Sequence, residues 1–149
     1  MTLTTPQKVI VTCSIVAALI VNVRSYLFMK KTKDFSRHVE KADTFMQNGN
    51  YNAAVVEFKQ AVLIKPDAAP IRDSRGDALY QSSRYGEAEK EYRYALRHTS
   101  GYPSTYFYLG SILKMNGHKS EAREMFRKAI EKDGNGPWGQ DAQKSLTSE

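Results

Sequence analysis

The sequence predicts an all-helical protein in which three helix pairs stack on one another, one short helix closes the stack, and one membrane-spanning helix precedes it. Three observations support this prediction. The same small and large apolar positions recur every 34 residues, turn-forming residues separate the apolar segments, and a long apolar run stands near the amino terminus. A period of this length is typical of helix pairs that bury their apolar faces against neighbouring pairs.

The recurring positions define three units, which we place at about residues 35–68, 69–102 and 103–136. The positions that recur are Ala54, Ala88 and Ala122; Phe58, Tyr92 and Phe126; Ala61, Ala95 and Ala129; Ala42, Gly76 and Gly110; and Phe45, Leu79 and Leu113. In the second half of each unit the apolar residues follow the i, i+3, i+4, i+7 spacing of one helical face. No insertion interrupts the period.

Turn signals fall between the predicted helices. Asn48–Asn50 and Asn116–Gly117 separate the two helices of the first and third units, and Ser82–Ser83 occupies the matching place in the second. Pro70 and Pro103 suit the first turn of a helix, where the missing N–H leaves no hydrogen bond unmade. The sequence therefore predicts short helices joined by tight turns.

The last segment, residues 137–149, is predicted to form a capping helix. Its apolar residues Trp138, Ala142 and Leu146 stand four apart, which places them on one helical face. Such a helix covers the open end of a repeat stack.

The units resemble the tetratricopeptide repeat (TPR) family, whose pattern combines an aromatic residue, Leu-Gly and Tyr in the first helix with Ala and Phe in the second. The third unit matches the pattern at Tyr106, Leu109, Gly110, Leu113, Gly117, Ala122, Phe126 and Ala129. The first unit matches it at Ala42, Phe45, Gly49, Tyr51, Ala54, Phe58, Ala61 and Pro66. The resemblance covers Phe35 to about Gly136.

The resemblance implies that a protein partner binds the concave surface formed by the first helix of each unit. The matching positions are Val39, Asp43, Met46, Asp73, Asp77, Tyr80, Phe107, Ser111, Lys114 and Met115. Among these we expect Tyr80 and Phe107 to anchor an extended or helical peptide. The alternative for any one of them is contact with a neighbouring helix or with solvent.

One class within the family holds the carboxyl terminus of chaperones with several Lys, Asn and Arg side chains, because carboxylates need cationic or amide donors around them. The matching places in this chain are Val39, Asp43, Ser74, Ser104 and Tyr108. Asp43 repels a carboxylate. The three acids of the concave set, Asp43, Asp73 and Asp77, instead favour a basic or neutral partner segment.

The run from Val9 to Met29 is predicted to be a membrane anchor that contacts lipid. It holds no Gly, Pro or acidic residue, and its 21 residues extend about 30 Å as a helix. A cleaved secretory signal is the alternative, although Val23–Ser25 makes a poor cleavage site because it contains Arg24. We place the anchor and its basic flank at residues 1–33 and the repeat domain at residues 34–149.

The junction between anchor and repeats has two interpretations. Between Gln7 and Asn48 there is neither Gly nor Pro, so one helix could run through without a break. We expect a break between Thr32 and Ser36, where Asp34 or Ser36 could cap a new helix.

Charge predicts the orientation of the anchor. Residues 1–33 hold five basic and no acidic residues, and the rest of the chain holds 17 basic and 16 acidic residues. The positive flank after the run favours a cytoplasmic repeat domain, with a periplasmic or exported domain as the alternative. A nearly neutral repeat domain argues against nucleic-acid binding.

The sequence carries no motif for catalysis, a metal, a cofactor or a small-molecule substrate. Cys13 is the only cysteine, so an intrachain disulfide is excluded. We therefore predict a non-enzymatic, single-pass, membrane-anchored binding protein that acts as an accessory, scaffold or assembly subunit of a membrane complex. The alternatives are a receptor that captures targeting peptides or client segments transiently, and a periplasmic or exported assembly factor.

Overall fold

A computed structural model describes residues 5–148, with side chains for residue 14 and residues 16–148. All regular structure in this part of the chain is helical. The helices are α1 (Thr5–Gln47), α2 (Tyr51–Ile64), α3 (Ala69–Gln81), α4 (Tyr85–His98), α5 (Pro103–Met115), α6 (Lys119–Asp133) and α7 (Pro137–Thr147). The carboxyl-terminal part of α1 pairs with α2, α3 pairs with α4, and α5 pairs with α6. The predicted all-α stack of three helix pairs is confirmed.

The repeating apolar positions form the core. Phe58, Tyr92 and Phe126, which occupy one place in the period, are at most 1% exposed. The alanines at 54, 88 and 122 are fully buried, as is Ala42. At the places equivalent to Ala42, Gly76 lies against the Tyr92 ring and Gly110 lies against the Phe126 ring, so the two helices of each unit approach closely there.

The turn within each unit depends on one residue with left-handed backbone conformation. Gly49, Ser83 and Gly117 stand 34 residues apart, with φ of 70°, 61° and 81°. In each turn the following N–H donates to a carbonyl five residues earlier, as Arg84 does to Leu79 at 2.8 Å. Ser83 holds a conformation that L-residues rarely adopt, and the repeated turn geometry imposes it.

The predicted break between Thr32 and Ser36 is wrong, because α1 continues without interruption from Thr5 to Gln47. Neither Asp34 nor Ser36 begins a helix. Phe35 and His38 already face neighbouring elements: the Phe35 ring lies 4.2 Å from Lys65 Nζ, and His38 Nδ1 lies 2.6 Å from Glu57 Oε2. The boundary we placed between residues 33 and 34 therefore falls inside one helix, which is about 65 Å long.

The amino-terminal part of α1 extends beyond the stack. The large apolar side chains of residues 16–29 are more than half exposed, from 53% at Val16 to 68% at Phe28. Among the described residues, no helix reaches the combination of length and hydropathy needed to cross a membrane. The first residues of the predicted anchor, Val9–Cys13, lie outside the part of the chain whose side chains are described.

At the other end, α7 packs against α6 and α5 as a capping helix should. Its central Ala142 is fully buried, and Leu146 packs against the core. Gly139 lies so close to Gly134 that a side chain there would meet the Gly134 carbonyl. The end of the stack is covered by a helix much shorter than α1.

Candidate partner-binding surface

Helices α3, α5 and α7 lie beside one another on one side of the stack, and aromatic rings connect them. Tyr80 of α3 lies 4.5 Å from Tyr108 of α5, measured between ring centroids. Tyr108 in turn meets Trp138 of α7 edge to face at 5.1 Å. Phe107 lies 5.7 Å from both Tyr108 and Trp138. We call Tyr80, Phe107, Tyr108 and Trp138 the aromatic cluster.

All four members of the aromatic cluster are partly exposed. Buried rings support them from behind: Tyr92 stacks on Tyr108 at 6.2 Å, and Phe126 lies 6.0 Å from Phe107. The rings are thus held in place by the core while part of their surface stays open to solvent. A preordered aromatic surface of this kind is typical of protein contact sites.

The structure adds Trp138 to the predicted surface and brings in Tyr108, which the sequence places at a matching position of that surface but not among the predicted partner contacts. Both could have been found, since Tyr108 stands beside Phe107 and Trp138 begins the predicted capping helix. The sequence predicts only a packing role for Trp138. Its contact with α5 depends on how α7 folds back on the last pair, which the repeat period does not specify.

Two acids of the predicted surface belong to the packing between helices. Asp73 is 5% exposed and accepts a hydrogen bond from Thr105 Oγ1 at 2.8 Å. Burial raises the pKa of Asp73 to about 6, and the Thr105 bond lowers it in part. The prediction that Asp73 is available to a partner is therefore wrong, because its carboxylate holds α3 against α5.

Asp77 stands one turn later on α3 and remains partly exposed. Its Oδ1 accepts a hydrogen bond from the Tyr92 hydroxyl at 2.8 Å. Burial and the nearby charge of Asp73 raise the pKa of Asp77 to about 7. The Tyr108 pKa is raised to about 12, chiefly by burial and next by the charge of Asp77. The Asp77 carboxylate therefore borders the aromatic cluster.

Lys114 is also engaged within the chain rather than directed to a partner. Its Nζ donates to the Ser145 carbonyl at 2.9 Å and to Ser148 Oγ at 3.2 Å. These contacts satisfy oxygens at the carboxyl end of α7, where a cation is electrostatically favoured. The prediction that Lys114 contacts a partner is replaced by a role in holding the capping helix.

The other predicted residues are distributed along the surface. Val39 and Asp43 line a shallow groove on α1, and Asp43 is exposed. Met46 is partly buried against the core, whereas Met115 is 58% exposed. Ser111 donates to the carbonyl of Phe107 at 2.9 Å within α5. Only Tyr80, Phe107 and Asp77 of the predicted set meet at the aromatic cluster.

Elsewhere on α3, two arginines share one carboxylate, which compensates one of their two charges. Arg75 Nη1 lies 2.6 Å from Glu91 Oε1, and Arg72 Nη1 lies 3.2 Å from Glu91 Oε2. Arg72 also stacks on the Tyr94 ring at 4.0 Å. Across the described residues, no three His, Cys, Asp or Glu side chains gather as a metal ion requires.

The chain is similar to several known proteins. A model of the tetratricopeptide repeat matches residues 39–103 and 74–137. Human protein O-mannosyl-transferase TMTC2 is 33% identical over 92 residues, which make up 60% of this chain and 11% of that protein. The chain thus matches only a small part of that relative.

Two solved TPR structures have the same fold. The TPR domain of Arabidopsis OM64 superposes with a TM-score of 0.71 at 19% identity, over 78% of this chain and 97% of that one. The second TPR domain of human RPAP3, in complex with an HSP70 peptide, gives a TM-score of 0.70 at 16% identity, over 80% of this chain and 99% of that one. With the family model matching from residue 39 to residue 137, this chain belongs to the tetratricopeptide repeat family.

Proposed function

We propose that this protein is a TPR interaction module attached to a membrane through the amino-terminal part of α1, and that it serves as an accessory or assembly subunit of a membrane complex. TPR domains bind other proteins, and the exposed aromatic cluster suits this role. The observation that carries the membrane proposal is the apolar surface of α1 between residues 16 and 29.

That surface surrounds the helix instead of forming one stripe. At 100° per residue, the large apolar side chains of residues 16–29 point in all directions around the axis, and each of these is more than half exposed. A helix in water normally keeps a polar face, whereas a helix in lipid has no need of one. The sequence extends this surface back to Val9, beyond the described side chains, to a length of about 30 Å.

Charge supports an arrangement in which the repeats lie in the cytoplasm. Arg24, Lys30, Lys31 and Lys33 are exposed around the end of the apolar surface and favour the cytoplasmic interface. Protease digestion of sealed vesicles tests the orientation. In vesicles that enclose the cytoplasmic side, digestion of the repeats only after the membrane is permeabilised supports this arrangement. Digestion of the repeats in intact vesicles supports the periplasmic or exported alternative.

The binding preference is proposed to differ from that of the RPAP3 domain, whose structure holds an HSP70 peptide. The places that match the donors of a carboxylate-binding TPR domain hold Val39, Asp43, Ser74, Ser104 and Tyr108. None of these is a cation, and Asp43 is an exposed acid. An acidic carboxyl-terminal peptide is therefore an unfavourable partner.

Membrane attachment is tested by extraction of isolated membranes at alkaline pH. We expect the unaltered chain to stay in the pellet and a Leu19→Arg/Ile20→Arg variant to be released, because two charges in the apolar segment oppose insertion. The matched control is Val56→Arg/Leu63→Arg, which alters two exposed apolar residues of α2 and should stay in the pellet. Release of the unaltered chain contradicts the proposal.

The role in a complex is tested by mild detergent solubilisation and identification of proteins that co-purify in fixed stoichiometry. A stable set of membrane subunits supports an accessory or assembly role. Many weakly held clients support a receptor, and a solitary monomer contradicts both.

A further inference from the structure

The loops that join successive units lie at the end of the stack from which the apolar part of α1 departs. The carboxyl end of α1 leads into the turn at Gly49, and α2 returns along α1, so that Lys65, just after α2, lies 4.2 Å from the Phe35 ring. The following helices alternate in direction, since only three or four residues join each helix to the next. The loops between units therefore share one end of the stack. We call this end the inter-unit edge, and it consists of residues 65–68, 99–102 and 134–136.

Contacts between neighbouring units make the inter-unit edge one continuous surface. The Tyr94 hydroxyl, near the end of α4, donates to the Pro66 carbonyl at 3.2 Å, and the Arg97 guanidinium lies 5.9 Å from the Tyr94 ring. Arg97 and Tyr106 line the same cavity between the second and third units. Lys132 Nζ, at the end of α6, lies 5.7 Å from the Tyr106 ring. The surface thus runs from α1 to the end of α6.

The side chains exposed there are of the kind found at membrane interfaces. Tyr102 is 54% exposed, and both Arg97 and Lys132 are exposed. In the part of the chain that the structure describes, the recorded contacts of Arg97 and Lys132 are with tyrosine rings and not with carboxylates. Tyrosine and long cationic side chains suit the level of the lipid headgroups, where an apolar body and a polar end both find favourable surroundings.

Charge is distributed unequally between the two ends of the stack. At the inter-unit edge and the adjoining part of α1, Lys and Arg number seven and Asp and Glu number four, over residues 30–37, 65–68, 97–103 and 131–137. The turns at the opposite end hold two of each kind, over residues 47–52, 81–87 and 115–121. The excess comes from the α1 segment, while the loops are balanced by themselves. One of their acids, Asp133, directs its Oδ2 to the Gly139 N–H at 3.0 Å.

We infer that the inter-unit edge rests on the anionic headgroups of the membrane in which α1 is embedded. The inference rests on the proposed function and adds a second membrane contact to it. Because α1 has no break, Phe35 stands about 9 Å along the helix from Met29, the last residue of the apolar surface. This rise is close to the depth of one headgroup layer. When α1 spans the hydrocarbon, the edge therefore lies at headgroup level, where Arg97 and Lys132 meet lipid phosphates.

Fluorescent labels at the two ends of α5 test this contact. Tyr102 precedes the helix and Met115 ends it, both are more than half exposed, and they lie about 20 Å apart along the axis. The full chain carries nitrobenzoxadiazole at Tyr102→Cys or, as the matched control, at Met115→Cys, on a Cys13→Ser background. It is inserted into vesicles of phosphatidylcholine alone, or of phosphatidylcholine and phosphatidylserine in equal parts, with a nitroxide quencher on the lipid headgroups.

In the anionic vesicles we expect quenching at residue 102 to be at least about threefold stronger than at residue 115, because quenching requires contact with the headgroups. Quenching at residue 102 should be weaker in the neutral vesicles, since the cations of the edge are then no longer attracted to the surface.

The variant Arg97→Gln/Lys132→Gln removes two cations of the edge. It should lower the quenching at residue 102 in anionic vesicles to the level seen in neutral ones. The matched control is Lys90→Gln/Lys119→Gln, which alters two exposed cations nearer the opposite end of the stack and should leave the quenching unchanged.

Quenching at residue 102 that is no stronger than at residue 115 overturns the inference and assigns the edge to water or to a protein neighbour. Quenching that survives Arg97→Gln/Lys132→Gln overturns it as well. If this variant does not fold by circular dichroism, equal quenching in neutral and anionic vesicles is the contradicting result. Alkaline extraction of the vesicles measures insertion separately. A released chain contradicts the proposed function and the inference with it, whereas an inserted chain with an unquenched edge contradicts only the inference.

Discussion

At the scale of single residues, the period is maintained by positions where only a small side chain fits. A Cβ atom on Gly76 would lie 2.7 Å from Tyr92 Cε1, and one on Gly110 would lie 2.9 Å from the Phe126 ring. Both rings are buried and cannot move aside without disturbing the core. The small residue in the first helix and the large ring in the second are therefore one packing unit, repeated with each helix pair.

The variant Gly76→Ala should lower the free energy of unfolding by about 1–3 kcal/mol, because the added methyl group overlaps the Tyr92 ring. The control is Gly86→Ala in the first turn of α4, where nothing lies within 4 Å of the added atom. That change should raise the free energy of unfolding by up to about 1 kcal/mol, since Ala favours a helix more than Gly does. Urea titration followed by circular dichroism measures both. A Gly76→Ala variant as stable as Gly86→Ala contradicts the packing argument.

The buried acids predict a dependence of stability on pH. In the unfolded chain Asp73 and Asp77 titrate near 3.8, and in the folded chain their pKa values are about 6 and about 7. Between about pH 4 and pH 7 the folded state binds more protons than the unfolded state, so these two groups make stability fall as pH rises through that range. Above about pH 8 both are ionised in both states, and their destabilising effect is complete.

The variant Asp77→Asn should accordingly be more stable than the unaltered chain at pH 7.5, by on the order of 1–3 kcal/mol, because it removes a charge from a largely buried place. At pH 4.5 the difference should shrink, since Asp77 is then protonated in the fold. Urea titrations at the two pH values measure it, with Asp67→Asn as the exposed control. A difference that does not change with pH would refute the assignment.

At the scale of elements, α1 combines two parts with different surroundings. Its carboxyl-terminal part is the first helix of the first unit and packs on α2, whereas residues 16–29 keep their apolar side chains exposed. The absence of Gly and Pro between Gln7 and Asn48 permits one helix, and no competing cap forms at Asp34, whose carboxylate pairs with Arg37 one turn later within the helix. The sequence left both interpretations open, because a potential N-cap residue is equally compatible with a helix interior.

A continuous α1 makes a distance prediction. Nitroxide labels at Asn22 and Lys41, both exposed, should show a narrow distribution near about 28 Å along the helix, on a Cys13→Ser background. Lys31→Pro should shorten and broaden the distribution, because proline removes a hydrogen bond and clashes with the preceding turn. Lys31→Ala should leave it unchanged. Double electron–electron resonance measures the distances. A broad distribution in the labelled chain that keeps Lys31 would indicate a hinge.

At the scale of the whole molecule, the stack places residues far apart in sequence on one surface. Tyr80, Tyr108 and Trp138 come from α3, α5 and α7, yet their rings form a connected row. The row exists because α3 lies beside α5 and α7 occupies the following place in the series. If α1 is embedded in lipid as proposed, its continuity into the first unit gives this surface a set orientation above the membrane.

The sequence by itself determined the helical class, the three units, their turns and the capping helix, because a 34-residue period of small and large apolar positions is compatible with few other folds. Through the family resemblance it also predicted which side of the stack binds a partner, and this stays a prediction. Only the tertiary structure decided which of those residues contact other parts of the chain. Asp73 accepts a hydrogen bond from Thr105, and Lys114 donates to the end of α7. Tyr108 and Trp138, in contrast, join the partly exposed aromatic cluster. The physical reason is that period and polarity describe one helix at a time, while burial and hydrogen bonding depend on the helix that packs beside it.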